Sequence, residues 1–394
     1  MKVGIFSVFL FLFLVCRALE SLYEPLRYLK YVLPLLAFSL YFFIDKAKLN
    51  YNYFSYLNSF LIFYLFVILF LFFKMLFFDT FQVRFIPNAG LMLMPLLFIF
   101  FLSPFFREKN IKEYIKLAFF FNVFLFLYLV SANIFLIFSD LKLLEEAAIS
   151  SNISTENALA YTFGLFLFYF ITEKYPKGYI ITCAIIFVLS FKRIAIAAFI
   201  ISYIYYFLST NVFKLNIKKY RHVFILLGVT ANLLFIKLVF LIVNGDLEKM
   251  IIEYTHLSTN NFVKGRQNFY KIVVEKVGSI SWSGIGLGKV DEILTDYFGK
   301  KWNLHSDILN NYFQFGAILF CIWLLLLFYK TSFSHKSLAI LIYFNIQMFT
   351  DNVFIYFDFM FYFYFFVLIY ISQTFYQKDE PSLVYNTPKI STGE

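Results

Sequence analysis

The stretch Trp302–Gly316 reads W-N-L-H-S-D-I-L-N-N-Y-F-Q-F-G and runs straight into the apolar segment Ala317–Tyr329. His305, Ser306, Asp307, Asn310 and Asn311 fall within one to two helical turns of each other at the head of that segment. A helix begun at His305 puts His305 and Asp307 in its first turn, at a water boundary, with Ser306 as a capping residue. Asn311, Tyr312 and Gln314 lie deeper, where unpaired polar groups are costly. The stretch reads as the polar mouth of a membrane-embedded helix.

Composition extends that reading to the whole chain. Of 394 residues, 61% are hydrophobic and 15% charged, and the mean hydropathy is +0.76. Soluble globular domains do not reach this balance. The 60 Phe and 30 Tyr suit lipid-facing and interfacial positions. The apolar runs are continuous and not alternating, which argues against a β-barrel. The expected fold is an all-α, polytopic integral membrane protein. The net charge of +10 sits mostly in short loops, so it reports orientation and not nucleic-acid binding. Cys16, Cys183 and Cys321 all lie in apolar runs without a C-x-x-C. Neither a disulfide framework nor a zinc site is indicated. Residues 1–16 resemble a signal peptide but lack a cleavage site and read as a retained first helix.

Twelve apolar runs mark candidate spans: 3–16, 31–44, 59–78, 90–105, 117–138, 157–172, 178–191, 194–208, 222–243, 306–329, 337–350 and 353–374. With the N-terminus inside, the cytoplasmic loops and ends carry 17 Lys and Arg and the opposite short loops carry seven. The bias places both termini in the cytoplasm. It also separates 178–191 from 194–208, because one merged helix would bury Lys192 and Arg193 in mid-membrane. Residues 1–376 form one membrane domain. The one long loop, Asn244–Leu304, is then outside, and within it Asn268–Val277 has helical spacing. Trp282 and Tyr297 are its expected membrane anchors. The polar tail 377–394 is expected to be disordered in the cytoplasm.

Chemistry-bearing residues gather on the loop side of this topology. Lys192 and Arg193 sit at the turn between two short helices, Arg266 sits in V-K-G-R-Q, and His305 ends the long loop. Arginine binds phosphate oxygens bidentately and stays charged when partly buried. Histidine exchanges a proton near neutral pH. Such a set suits an anionic, lipid-linked substrate. Taken singly, each residue has a plainer reading: snorkelling for Lys192 and Arg193, solvation for Arg266, a wet-tipped ring for His305. The same plain reading holds for His222, His256 and His335. Asp351-Asn352 lies in a short turn on the same side, and turn chemistry explains it as well as a place in the lining of the same cavity does. The run Gly284-Ile285-Gly286-Leu287-Gly288 lacks the G-K-[ST] of a phosphate loop. Its alternating glycines still let backbone N–H groups approach a ligand or a surface helix. No H-E-x-x-H, D-x-D or Cys/His cluster occurs, so no metal site and no cofactor is expected.

S-F-K-R at 190–193, G-R at 265–266, G-I-G-L-G at 284–288 and H-S-D-I-L-N-N-Y-F-Q-F-G at 305–316 together resemble the O-antigen polymerase/ligase family. Ala197 stands where the ligase pattern often has Leu. The resemblance implies a metal-independent glycosyltransferase of the GT-C type in the bacterial inner membrane. Its donor would be an undecaprenyl-diphosphate-linked oligosaccharide, used at the periplasmic face, with a chain-length regulator as a potential partner. His305, Arg193 and Arg266 would be catalytic. Lys192, Gly284, Gly286, Gly288, Asp307 and Asn311 would bind substrate. Polymerase is favoured over ligase, the two differing in the acceptor. A polysaccharide flippase is the reading from another class, but it would place charges along a path inside the helices, and only Lys74 and Lys237 are basic residues within the runs. A membrane scaffold would leave the Arg–Arg–His set unexplained.

Overall fold

The computed structural model describes residues 4–22, 28–43, 51–78, 82–106, 110–139, 157–190, 192–245, 253, 266–278, 282–300 and 302–376. The tail 377–394, the acidic segment 140–156, Gly265 and His256 lie outside these residues, as does much of the long loop. Fourteen α-helices and no strand occur among the described residues. In chain order they are α1 (Ile5–Leu22), α2 (Leu29–Tyr41), α3 (Tyr51–Phe78), α4 (Phe85–Leu102) and α5 (Ile111–Ser139). There follow α6 (Asn157–Thr172), α7 (Lys177–Leu189), α8 (Arg193–Phe207) and α9 (Ile217–Val243). The loop holds α10 (Gln267–Val277) and α11 (Lys289–Phe298), and the chain returns through α12 (Asp307–Thr331), α13 (His335–Thr350) and α14 (Phe357–Tyr376).

Each of the twelve apolar runs is a helix, and α10 covers the amphipathic segment of the loop. By length and composition, six helices among the described residues can cross a membrane: α3, α4, α8, α9, α12 and α14. At 13 residues α2 is shorter than the ~20 a straight span requires. The break between α7 and α8 falls where charge predicted it, with Lys192 in a non-helical conformation (φ −84°, ψ 89°).

The bundle is built around α14. Residues Phe359–Ile371 are all 2% exposed or less, and α3, α4, α6 and α13 pack around them. Residues Ala158–Phe170 of α6 are almost as deeply buried. A helix apolar on every side belongs in a core. Many of the aromatic rings expected at lipid therefore line the interior instead. Phe344 stacks on Phe363 at 4.3 Å and Phe13 meets Phe361 at 4.4 Å, contacts worth about 0.5–1.5 kcal/mol each beyond area burial. Tyrosine suits such a core when its hydroxyl finds a partner. Tyr362 pairs with Asn122 Nδ2 at 2.7 Å and Tyr64 with Trp323 Nε1 at 3.2 Å. Exposed apolar side chains such as Phe66, Leu226 and Leu234 cover α3 and α9, as the surface facing lipid requires.

Polar contacts sort to the two ends of the bundle. At one end Lys336 meets Glu173 at 2.5 Å, His335 Nε2 donates to the Leu215 carbonyl at 2.8 Å and Tyr56 meets Thr331 at 3.2 Å. The other end gathers the turn before α4, the end of α9, the loop helices and the start of α12. There too lies a closed charge cluster. Arg17 Nε is 2.8 Å from Asp358, Arg17 also reaches Glu20 at 3.0 Å, and Lys30 reaches Glu20 at 2.9 Å. Arg17, Lys30 and Asp358 are buried. Arg17 and Lys30 thus tie α1 and α2 to α14 and do not act as loop charges. Of the seven outer charges counted for orientation, five remain.

Helix α12 is broken at Gly316 (φ 81°, ψ 165°), where a continuous span was expected. The break frees carbonyls of the preceding turn, and the glycine run supplies the donors. Ile285 N–H donates to the Phe313 carbonyl at 2.9 Å and Gly286 N–H to the Gln314 carbonyl at 3.2 Å. Lys74 Nζ donates to the Gly284 carbonyl and to Ser283 Oγ at 3.2 Å. Gln82 Nε2 donates to the Ile285 carbonyl at 3.2 Å. The backbones cross so closely that a Cβ on Gly284 would fall on the Gln314 carbonyl and one on Gly316 on the Gly284 nitrogen.

Candidate functional site

The site is organised by the end of α13. Its last residues, Thr350 and Asp351, receive groups from four directions. Arg266, which caps α10, donates a guanidinium N–H to the Thr350 carbonyl. His305 Nδ1 lies 4.0 Å from Asp351 Oδ1, ion-pair range but beyond a direct hydrogen bond. Tyr161 on α6 donates its hydroxyl to Asp351 Oδ2 at 2.5 Å. The charge of Lys192, at the α7–α8 break, also acts on this carboxylate. Asp351 accepts its neighbour's amide as well, from Asn352 N–H at 2.8 Å.

Burial works against the Asp351 charge, but His305, Tyr161, the Asn352 amide and Lys192 outweigh it and hold the carboxyl below its ordinary value. A lowered folded-state value stabilises the fold above the unfolded-state value, and that contribution is lost as pH falls through the lowered one. The contacts to the Asp351 carboxylate therefore persist at neutral pH and are lost only in acid, below the ordinary carboxylate range.

His305 does not begin the helix. It precedes it in the left-handed region (φ 58°), and Ser306 is the N-cap, its hydroxyl accepting from Leu309 N–H at 3.3 Å. Left-handed geometry costs a non-glycine residue about 1–2 kcal/mol, and such strain collects at functional sites. Here it accompanies a half-exposed ring with one edge towards Asp351. The ring also leans on Phe269 of α10, centroids 6.3 Å apart. Phe269 packs in turn on Trp302 at 5.2 Å and on Phe298 at 5.0 Å. The two loop helices thus form an aromatic backing for the histidine.

Not every expected residue joins this point. Arg193 is exposed in the first turn of α8 and makes no hydrogen bond or ion pair with another described residue. Asp307 is buried and turned from His305. Its Oδ2 accepts from Phe354 N–H at 3.0 Å, and its own N–H donates to the Asp351 carbonyl at 3.1 Å. It brackets the start of α12 to the turn Val353–Ile355. Gly284, Gly286 and Gly288 brace the α12 break and the turn before α4, and two amides of that run are spent on α12 carbonyls. Asn311 is buried on α12, below His305. Among the described residues no group of three His, Cys, Asp or Glu could hold a metal ion.

Two functional candidates were underread or missed. Asp351 looked like a turn residue, although a carboxylate on the loop side of a basic cluster was the available signal. Tyr161 sits in an aromatic run with nothing in its neighbourhood to mark it. Replacing Asp351 by Asn keeps the shape and removes the charge. Activity is expected to fall, by no more than the roughly 10²–10⁴-fold a general base supplies. The loss should exceed any fall in thermal midpoint measured on the same protein. Activity that falls only in step with the midpoint assigns Asp351 to the fold alone.

Comparison with known proteins returns no match: no family model, no curated protein and no solved structure is similar to this chain.

Proposed function

We propose that the chain is an inner-membrane glycosyltransferase that joins lipid-linked oligosaccharide units into a surface polysaccharide at the periplasmic face. The observation that carries this reading is the gathering of Arg266, His305, Lys192 and Asp351 at one end of the bundle, with Arg193 exposed next to Lys192 in the chain. The family resemblance of the 190–316 motifs supplies the substrate class. Twelve crossings with both termini inside account for two observations. The described part of the motif loop packs on one side of the bundle, at the turn before α4 and the first half of α12, and the basic bias sharpens once Arg17 and Lys30 are set aside as buried partners of Glu20 and Asp358.

In the reaction, an acceptor sugar hydroxyl attacks the anomeric carbon of the donor. The new C–O bond forms as the bond to the lipid diphosphate breaks. With Nδ1 facing Asp351, His305 keeps Nε2 for the acceptor hydroxyl and takes its proton. Asp351, itself held by Tyr161, faces the ring at ion-pair distance. Charge building on the departing diphosphate is met by Arg266 and Arg193, with Lys192 beside them. The flippase reading is weaker. The buried charges Arg17, Lys30 and Asp358 pair in one cluster with Glu20, and Lys74 is held by the Gly284 carbonyl.

Purified protein given a synthetic polyprenyl-diphosphate oligosaccharide is expected to release polyprenyl diphosphate and build longer chains, equally well in excess EDTA. Absence of turnover with substrate flipped across vesicles would return the chain to the transporter class.

A further inference from the structure

Helix α12 carries a polar stripe. Asp307, Asn310, Asn311 and Gln314 stand at i, i+3, i+4 and i+7, one face of a helix. This face looks into the bundle. Asp307, Asn311 and Gln314 are each 7% exposed or less. Together with Asn88 of α4 and Phe354 the stripe lines a void of about 40 Å³. From Asp307 to Gln314 it descends roughly 10 Å below the helix start next to His305.

The groups in this recess are incompletely paired. Gln314 Nε2 donates to Asn310 Oδ1 at 2.5 Å, and Asn88 Nδ2 donates to Asp291 at 3.2 Å. The Asn311 amide makes no hydrogen bond to another described residue. That leaves the amide, which lines the void, open to a small polar partner there. The break at Gly316 ends the half-helix just past Gln314, where the bracing glycine run holds it.

We infer that this recess is a hydroxyl-recognition subsite for the acceptor sugar, a reading that rests on the glycosyltransferase function proposed above. Carboxamides and a carboxylate supply donors and acceptors together, which is what a hydroxyl, itself both, requires. The void is large enough for water-sized groups and too small for a sugar ring. One or two hydroxyls at the edge of the acceptor enter it, and the hydroxyl that reacts stays above at His305.

The test uses purified full-length protein, a lipid-linked donor and a short lipid-linked acceptor. Asn311→Leu should raise the acceptor KM roughly tenfold to hundredfold, the range for a lost buried hydrogen bond, with kcat little changed. Its unliganded Tm should stay level or rise, because no hydrogen bond to another described residue is lost. Asn311→Gln, which keeps the amide but fills the void, should raise KM likewise. An unchanged KM in both variants, or a lowered Tm with unchanged KM, overturns the subsite and makes the stripe structural. If His305→Ala is inactive while both Asn311 variants match wild type, the recess falls and the enzyme reading stands. If wild-type protein turns over no lipid-linked donor, both fall.

Discussion

His305→Ala is expected to cut polymer formation by about 10²–10⁴-fold, the range a positioned general base supplies. The ring is half-exposed, so truncating it costs little packing, and expression should hold. Arg266→Ala should lose roughly 10²–10³-fold, as when one donor aimed at developing charge is removed. That variant also frees the Thr350 carbonyl, so part of its loss belongs to loop docking. Arg193→Ala separates the two effects. Arg193 has no partner among the described residues, and any activity it loses is lost to substrate. Arg→Lys should rescue only in part at either position, because an ammonium lacks the fork. His222→Ala, on the exposed surface of α9, serves as the unaffected control. The readout is polysaccharide chain length on a gel with a membrane blot for protein level. Wild-type ladders from well-expressed His305→Ala protein would remove His305 from the chemistry.

Gly284→Ala and Gly316→Ala should each lower stability by roughly 2–5 kcal/mol, from left-handed backbone strain plus overpacking. Both have positive φ (71° and 81°), and each Cβ meets backbone atoms of the opposing segment, which have no rotamer in which to retreat. Gly299→Ala is the comparison. It too has positive φ (68°), but nothing lies within 4 Å of its Cβ, so only the strain of about 1–2 kcal/mol applies. Thermal midpoints in detergent, or protein level in membranes, should rank Gly299→Ala well above the other two. Equal midpoints for all three would mean that the crossing at Gly316 gives way without cost.

Much of the fold is written in local patterns. Continuous apolar runs mark helices because lipid leaves no alternative partner for backbone groups, and all twelve runs are helical. The α7–α8 break is legible because Lys192 and Arg193 cannot stay in mid-membrane, and Ser306 is a legible cap. What the sequence conceals is which helix is central. The aromatic run 357–371 has the same composition as a lipid-facing helix, and only packing distinguishes them. The site divides in the same way. His305 and Arg266 stand out by charge in short motifs. Tyr161 is one ring among many, and its partner Asp351 lies 190 residues away. The glycine run suggests close approach, but its partner, the break at Gly316, is visible only when the two segments are brought together. The stripe 307, 310, 311, 314 has helical period and was there to be read; its inward direction was not.

The position of α14 has a consequence for biogenesis. The helix at the centre of the bundle is translated after every other described helix. Until it inserts, α3, α4, α6 and α13 have no common surface to close upon, and Arg17 lacks the carboxylate of Asp358. The earlier helices must wait in the bilayer as a loose set, with an unfinished salt cluster near its surface. Closure of the bundle therefore waits for α14, and a chain stopped short of Phe357 leaves the buried Arg17 without the carboxylate of Asp358.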